Sequence, residues 1–394
     1  MRLSLWLLGI LLFFGVSTRG QMVSESTTIS LITCGPGNEL YSTFGHSAIH
    51  ISDRTSGLDK VYNYGTFDFD TPNFYVKFSR GQLDYFLNVT DFGRFVRSYQ
   101  REGRWVYRQE LNLTQAQKEE LFAFLENNAK PENKFYKYDF FYDNCSTRIR
   151  DVLEQVLGES LVYPKMESDT TATFREMIEL YLTKLPWSDL GIDLALGMPC
   201  DDEADYRQKM FLPDYLKSHF DEARIIEGGE LIPLVKKEGL VLAEHPGLSA
   251  VEANSINWIF WVLMGVCFLT GLFVSPQKMK WFDVTFFLLT GILGIFIALL
   301  WFATEHSTTK WNLNLIWALP TWIWGAILLI RNKPSSKFFK IHAIITFTIM
   351  VFWVVIPQSF HAAVIPIILA LAARSWSWQK QRFFIKKKED AAQA

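Results

Sequence analysis

The spacing of apolar residues divides the chain into three regimes. Residues 3–16 form a largely apolar run, residues 21–255 mix polarities with short periods, and residues 256–373 are mostly apolar runs broken by brief polar connections. In the middle regime, "SAIHIS" sets Ile49 and Ile51 against Ala48 and His50, which predicts a strand beginning near His46. "KVYNYGTFDFD" sets Val61 and Asn63 against Tyr62 and Tyr64, and "GRWVYRQELNL" also alternates, so both read as strands. The period then lengthens. "LTQAQKEELFAFLENNA" opens on a Thr114…Gln117 capping box and carries Leu121, Phe124 and Leu125 on one helical face. After Cys145, Ile149, Val152, Leu153, Val156 and Leu157 form another such face, stopped by Gly158 and started by Asp143 or Asn144. Residues 160–225 read as mostly helical, and "GELIPLVKKEGLVLAE" as a hairpin or extended linker running to a membrane at about Ser255.

The ends fix the topology. Residues 1–20 carry one early basic residue, the apolar run, then small and polar residues, the layout of an export signal that is either cleaved or kept as an anchor. A helical span needs about 20 apolar residues, and five segments offer themselves: 256–275, 281–302, 313–330, 338–356 and a short 359–373. With the middle regime outside, Lys278 and Lys280, then Arg331, Lys333, Lys337 and Lys340, then the basic tail 374–394 all fall inside. Only Lys310 interrupts the external loops, and this asymmetry requires that the fifth segment cross. The expected layout is a signal or anchor at 1–20, an exported α+β domain at 21–255, an all-α five-helix transmembrane domain at 256–373, and a cytoplasmic tail. Trp258, Trp261, Trp281, Trp301, Trp311 and Trp317 fall near the expected interfaces.

A net charge of −2 argues against nucleic acid as the main partner. No nucleotide-binding glycine motif occurs, and His46 and His50 stand about 13 Å apart on a strand, too far to share a metal ion. Four cysteines are present, and Cys145 falls in the first turn of its helix, where free N–H groups and the helix dipole favour a thiolate. Cys34 and Cys200 are able to pair in an oxidising compartment, leaving Cys145 free, while a Cys34–Cys145 bond would remove the nucleophile. His46, at the mouth of a strand beside Gly45, is the candidate base. Asn63, polar among aromatics on the next strand, is the candidate orienting group, with Asp68 the weaker alternative. His50 reads as structural. Phe67, Phe69, Phe74, Tyr75, Phe78, Tyr85, Phe86, Phe92 and Phe95 make 62–98 unusually aromatic; core packing accounts for most of them, and an excess beyond what one small sheet covers would suit an acyl-chain groove facing a bilayer.

The stretches "TCGPGNELYSTFGHSAIHISD", "VYNYGTFDFD", "FYDNCSTRIRD", "LPWSDLGIDLALGMPCD" and "MFLPDYL" together resemble the Lnb-type lipoprotein N-acyltransferases of Bacteroides-like bacteria. The resemblance implies a permuted papain-like thiol fold in which histidine precedes cysteine, joined to a five-helix membrane domain, with His46 and Cys145 as the catalytic pair. It further implies transfer of an acyl chain from a membrane phospholipid to the N-terminal amine of diacylated lipoproteins, at the periplasmic face of the inner membrane, with no cofactor beyond the phospholipid donor. Two other readings compete: a papain-like cysteine peptidase or amidase of the cell envelope, which requires an open polar cleft, and a non-catalytic membrane-anchored binding module, in which Cys145 is inert.

Overall fold

The computed structural model describes residues 23–164, 171–245 and 254–392, so the expected signal or anchor at 1–20 lies outside the described residues. The N-terminal part is built on a seven-stranded sheet. Its strands are β1 (Thr28–Cys34), β2 (His46–Asp53), β3 (Leu58–Thr66), β4 (Asp84–Thr90), β5 (Val106–Leu111), β6 (Phe135–Lys137) and β10 (Val235–Leu242). They lie in the order β10-β5-β1-β2-β3-β4-β6, all neighbours antiparallel. A smaller sheet joins β7 (Leu161–Val162), β8 (Arg224–Glu227) and β9 (Glu230–Pro233). The stretch expected to be a hairpin or linker therefore splits between two sheets: β9 folds back on β8, and β10 becomes the outer strand of the main sheet, on β5.

Helices of this part are α1 (Phe74–Ser79), α2 (Phe92–Glu102), α3 (Gln115–Asn128), α4 (Cys145–Leu157), α5 (Phe174–Leu182), α6 (Pro186–Ala195), α7 (Tyr206–Lys209) and α8 (Pro213–Glu222). Strand alternation sorts the sheet into two faces. Ile29, Leu31, Ile49, Ile51, Tyr62 and Tyr64 pack on Leu121 and Leu125 of α3, Ile149 and Leu153 of α4, and Leu216 and Phe220 of α8. Burying each such side chain contributes about 1.5–3 kcal/mol. The other face sets Ile32, Cys34, Ala48 and Val61 against Phe95 and Tyr99 of α2.

The C-terminal part is helical: α9 (Asn257–Phe273), α10 (Lys280–Phe302), α11 (Trp322–Ile330), α12 (Ser336–Val351) and α13 (Val364–Ala392). One continuous stretch among the described residues, Pro276–Phe302, is long and apolar enough to cross a membrane by itself; Asn257–Phe273 is a shorter apolar helix. The third expected span is broken. A 3₁₀ turn at Leu313–Ile316 precedes α11, whose nine residues reach about 14 Å. Irregular backbone at such depth is tolerated only where protein surrounds it, and Asn312, Asn314 and Trp317 are all buried there. Trp317 is thus a core residue donating to Asn314, not an interfacial one. The fifth segment is longer than expected, and Arg374, placed by sequence at the start of the tail, is fully buried in a two-point pair with Asp283 of α10. Trp378 also donates to Asp283, and Arg374 to Thr270 of α9.

The two parts are tied together around the loop after α10. Glu305 N–H donates to the Arg80 carbonyl, Ser307 to Asp139, Gly197 N–H to the Thr308 carbonyl and Asn314 to the Asp193 carbonyl. Glu305 and His306 belong to this joint. Behind it the buried Arg175 binds Asp193, also buried, and the half-buried Asp201.

Candidate active site

Helix α4 starts at Cys145 because Asn144 caps it. Asn144 Oδ1 accepts the N–H groups of Ser146 and Thr147, at 2.8 and 3.0 Å, while Thr147 Oγ1 accepts the Asn144 N–H. Its amide nitrogen donates to the carbonyls of Phe140 and Phe211, locking the cap to the loop on either side. Arg148, one turn in, grips Asp143 with two nitrogens and stacks over Tyr136. The cap alters one expectation. Of the N–H groups at this helix start, those of Ser146 and Thr147 are already taken, which leaves the N–H of Cys145 itself to hold an oxyanion.

His46 opens β2 at the end of the sheet, opposite Cys34 in the β1–β2 ladder. Two glycines allow close packing around the pair. Gly45 has φ +80°, and a Cβ there would lie 2.7 Å from the Cys34 carbonyl. Gly65 has φ +81°, and a Cβ there would touch the Cys145 Cβ at 3.5 Å. Burial pushes the Cys145 thiol up, yet its pKa is lowered overall, by the charge of His46 and a hydrogen bond with it, and then by the Ser47 N–H and Ser146. Ser47 Oγ and Ser146 Oγ meet at 3.0 Å in a buried contact. The residue after the histidine is thus clamped to the residue after the cysteine, which fixes the spacing of the pair.

Asn63 is buried and lines, with His46, Thr66 and Tyr99, a hollow on the α2 side of the sheet. Its amide donates to the Val61 carbonyl at 3.3 Å, so it shares the ring's surroundings without a hydrogen bond to the ring. Asp68 caps a turn by accepting the Asp70 N–H and is remote from this arrangement. His50 pairs with Asp59 at 2.7 Å and stacks on Phe92, a structural arrangement. Cys34 and Cys200 sit in separate core clusters, and all four cysteines are free, so the Cys34–Cys200 pairing is absent and Cys145 is unbridged.

Cys145 and His46 line one cavity of about 310 Å³. Its walls are mostly aromatic and aliphatic: Tyr41, Phe44, Phe67, Phe78, Leu83 and Tyr85 among them. Sequence reasoning missed Tyr138, which stacks on Tyr85 and lines the cavity beside Cys145. Burial, and then the proximity of Cys145, push its phenol well up, so it keeps its proton and remains a donor. His306, from the loop after α10, also lines this cavity, which therefore has walls from both parts of the chain.

The arrangement can generate a thiolate in a largely apolar cavity. Compared with known families, residues 17–179 match the Lnb N-terminal periplasmic domain and residues 252–388 the Lnb transmembrane domain. The chain belongs to the Lnb family. The Lnb match accounts for both parts, giving a periplasmic sheet-rich domain joined to a transmembrane helical domain, and it makes the chain a membrane protein. Comparisons with curated proteins and with solved structures give no match. The Lnb family acts in lipoprotein N-acylation, which the chamber and its position suit.

Proposed function

We propose that the protein is a lipoprotein N-acyltransferase of the inner membrane, with residues 21–255 as its periplasmic catalytic domain on a permuted papain-like thiol fold. Cys145 is the nucleophile, His46 the base, and Asn63 a positioning group acting on the far side of the His46 ring. The observation that carries this reading is that Cys145 and His46 are hydrogen-bonded and line one largely apolar cavity whose wall includes the loop after α10.

The steps balance as follows. His46 takes the Cys145 proton, and the sulfur attacks the ester carbonyl of a phospholipid. The oxyanion meets the Cys145 N–H, with Tyr138 the second donor on that side. The ester C–O bond breaks, His46 returns the proton to the departing oxygen, and a lysophospholipid leaves. The acyl group stays as a thioester. The α-amine of a diacylated lipoprotein, whose ordinary pKa near 7.7–8.0 leaves roughly a tenth or more neutral at pH 7, then attacks. The C–S bond breaks, the amine proton passes to His46, and the thiolate–imidazolium pair is restored. Water competes for the thioester, and the aromatic walls exclude it. An acyl chain suits this largely apolar cavity better than a polar peptide does.

The test is mass spectrometry of lipoproteins from cells with Cys145→Ser and no redundant acyltransferase. They are expected to remain diacylated, and persistent triacylation overturns the reading.

A further inference from the structure

Helix α1 turns one residue inward and the rest out. Phe74 is buried against Phe67 and Phe69, at 5.8 and 4.9 Å between ring centroids. Tyr75, Val76 and Phe78 are 77%, 58% and 49% exposed, and Phe69 beside them 63%. A single exposed apolar residue is ordinary, but four contiguous ones mark a surface with a partner. The helix is not free to choose its surroundings. His306 Nε2 bonds the Phe78 carbonyl at 3.1 Å, Glu305 N–H donates to the Arg80 carbonyl at 2.8 Å, and Gln82 donates to Glu305 at 2.6 Å. These residues follow closely on the end of α10 at Phe302, where Trp301 and Trp311 pack at 5.3 Å. The apolar face is therefore fastened at the height where a transmembrane helix leaves the bilayer. Lys77 and Arg80 sit among the apolar residues, the mixture found in helices that lie in a lipid interface. Phe78 also lines the cavity that holds Cys145.

We propose that α1 lies in the periplasmic leaflet at the boundary of headgroups and acyl chains, and that a phospholipid chain enters the cavity across Phe78. The first half stands on the geometry of α1 and the loop after α10; the second half rests on the acyl-transfer reading. The phospholipid leaflet is the occupant because the joint with the transmembrane domain continues directly into this face.

The experiment places an environment-sensitive fluorophore on Val76→Cys in full-length protein carrying Cys145→Ser, whose other cysteines are buried. The protein is reconstituted into phosphatidylglycerol/phosphatidylethanolamine vesicles. Blue-shifted emission, quenched by lipids spin-labelled high on the chain, is expected. Water-like emission that these lipids do not quench overturns the proposal. So does a blue shift that grows with protein density without lipid quenching, which would assign the face to a second copy. A second measurement uses Tyr75→Asp/Val76→Asp, neither of which lines the cavity. Thioester formation from vesicle phospholipid, divided by that from a monomeric short-chain phospholipid, is expected to fall about tenfold, on the scale of one apolar side chain withdrawn from lipid. An unchanged ratio overturns the entry route. If the unaltered protein forms no thioester from either donor, the acyl-transfer reading falls, and the quenching still decides where α1 lies.

Discussion

Cys34 and Cys145 are buried thiols of one domain on opposite sides of His46, and their acidities diverge. Cys34 closes β1 on the α2 face, where burial pushes its thiol up to about 12 despite Arg104 and a hydrogen bond with Tyr99. Cys145 is buried too, yet its thiol is held below the ordinary value. A cationic neighbour alone therefore does not make a thiolate. Arg104 acts on Cys34 by charge alone, with its hydrogen bonds on the Gly35 carbonyl and Glu102, whereas His46 hydrogen-bonds the sulfur of Cys145 at a helix start. The difference lies in a direct hydrogen bond from the charged partner and in the Ser47 N–H that accompanies it.

The sharpest way to break this comparison is to exchange the sulfur. Cys145→Ser is expected to abolish thioester formation and to lower acyl transfer at least ~10³-fold, measured by intact-protein mass spectrometry, while Cys34→Ala leaves both nearly unchanged. Next in size is His46→Ala, expected to slow acyl transfer by roughly 10²–10⁴-fold. It should also move the pH midpoint of Cys145 alkylation upward. The sign follows from the cause: His46 favours the charged sulfur, so removing it requires higher pH for the same thiolate fraction. In the unaltered protein that midpoint is expected below 9.0, with Cys34 unlabelled through the same range. A smaller effect is expected from Asn144→Ala, about 1 kcal/mol of lost stability in thermal unfolding of the purified protein, together with slower alkylation as the helix start loosens. Smallest is Ser146→Ala, which removes the contact with Ser47 and one hydrogen bond to the thiol; a slight rise of the alkylation midpoint without loss of folding is expected.

What the sequence made legible was whatever depends on near neighbours. The period of α4, its cap and its glycine stop lie within fifteen residues of one another, and the Thr114–Gln117 box and the alternation within β2 and within β3 are each as local. The pairing of His46 with Cys145 was reachable because each announces itself locally, one at a strand mouth and one in a first helical turn. What escaped depends on partners far along the chain. Nothing in "VKKEGLVL" says that it will lie on β5 rather than lead away as a linker. Nothing in "TEHS" says that His306 will face an aromatic cavity. Trp317 looked interfacial because tryptophan is common at interfaces, and the buried Asn314 that accepts its N–H gave no sequence signal. Tyr138 went unnoticed because its partners, Tyr85 and Cys145, come from different elements.

The outer position of β10 bears on biogenesis. This strand is the last of the periplasmic sheet and directly precedes the first transmembrane helix in sequence, yet its pairing partner β5 has crossed long before. Until residues Val235–Leu242 emerge, β5 offers a bare row of peptide groups to the periplasm, open to chaperones and to stray strands. Closure of that edge therefore comes only shortly before α9 follows, so the cavity beside Cys145 matures only as the chain is being handed to the bilayer.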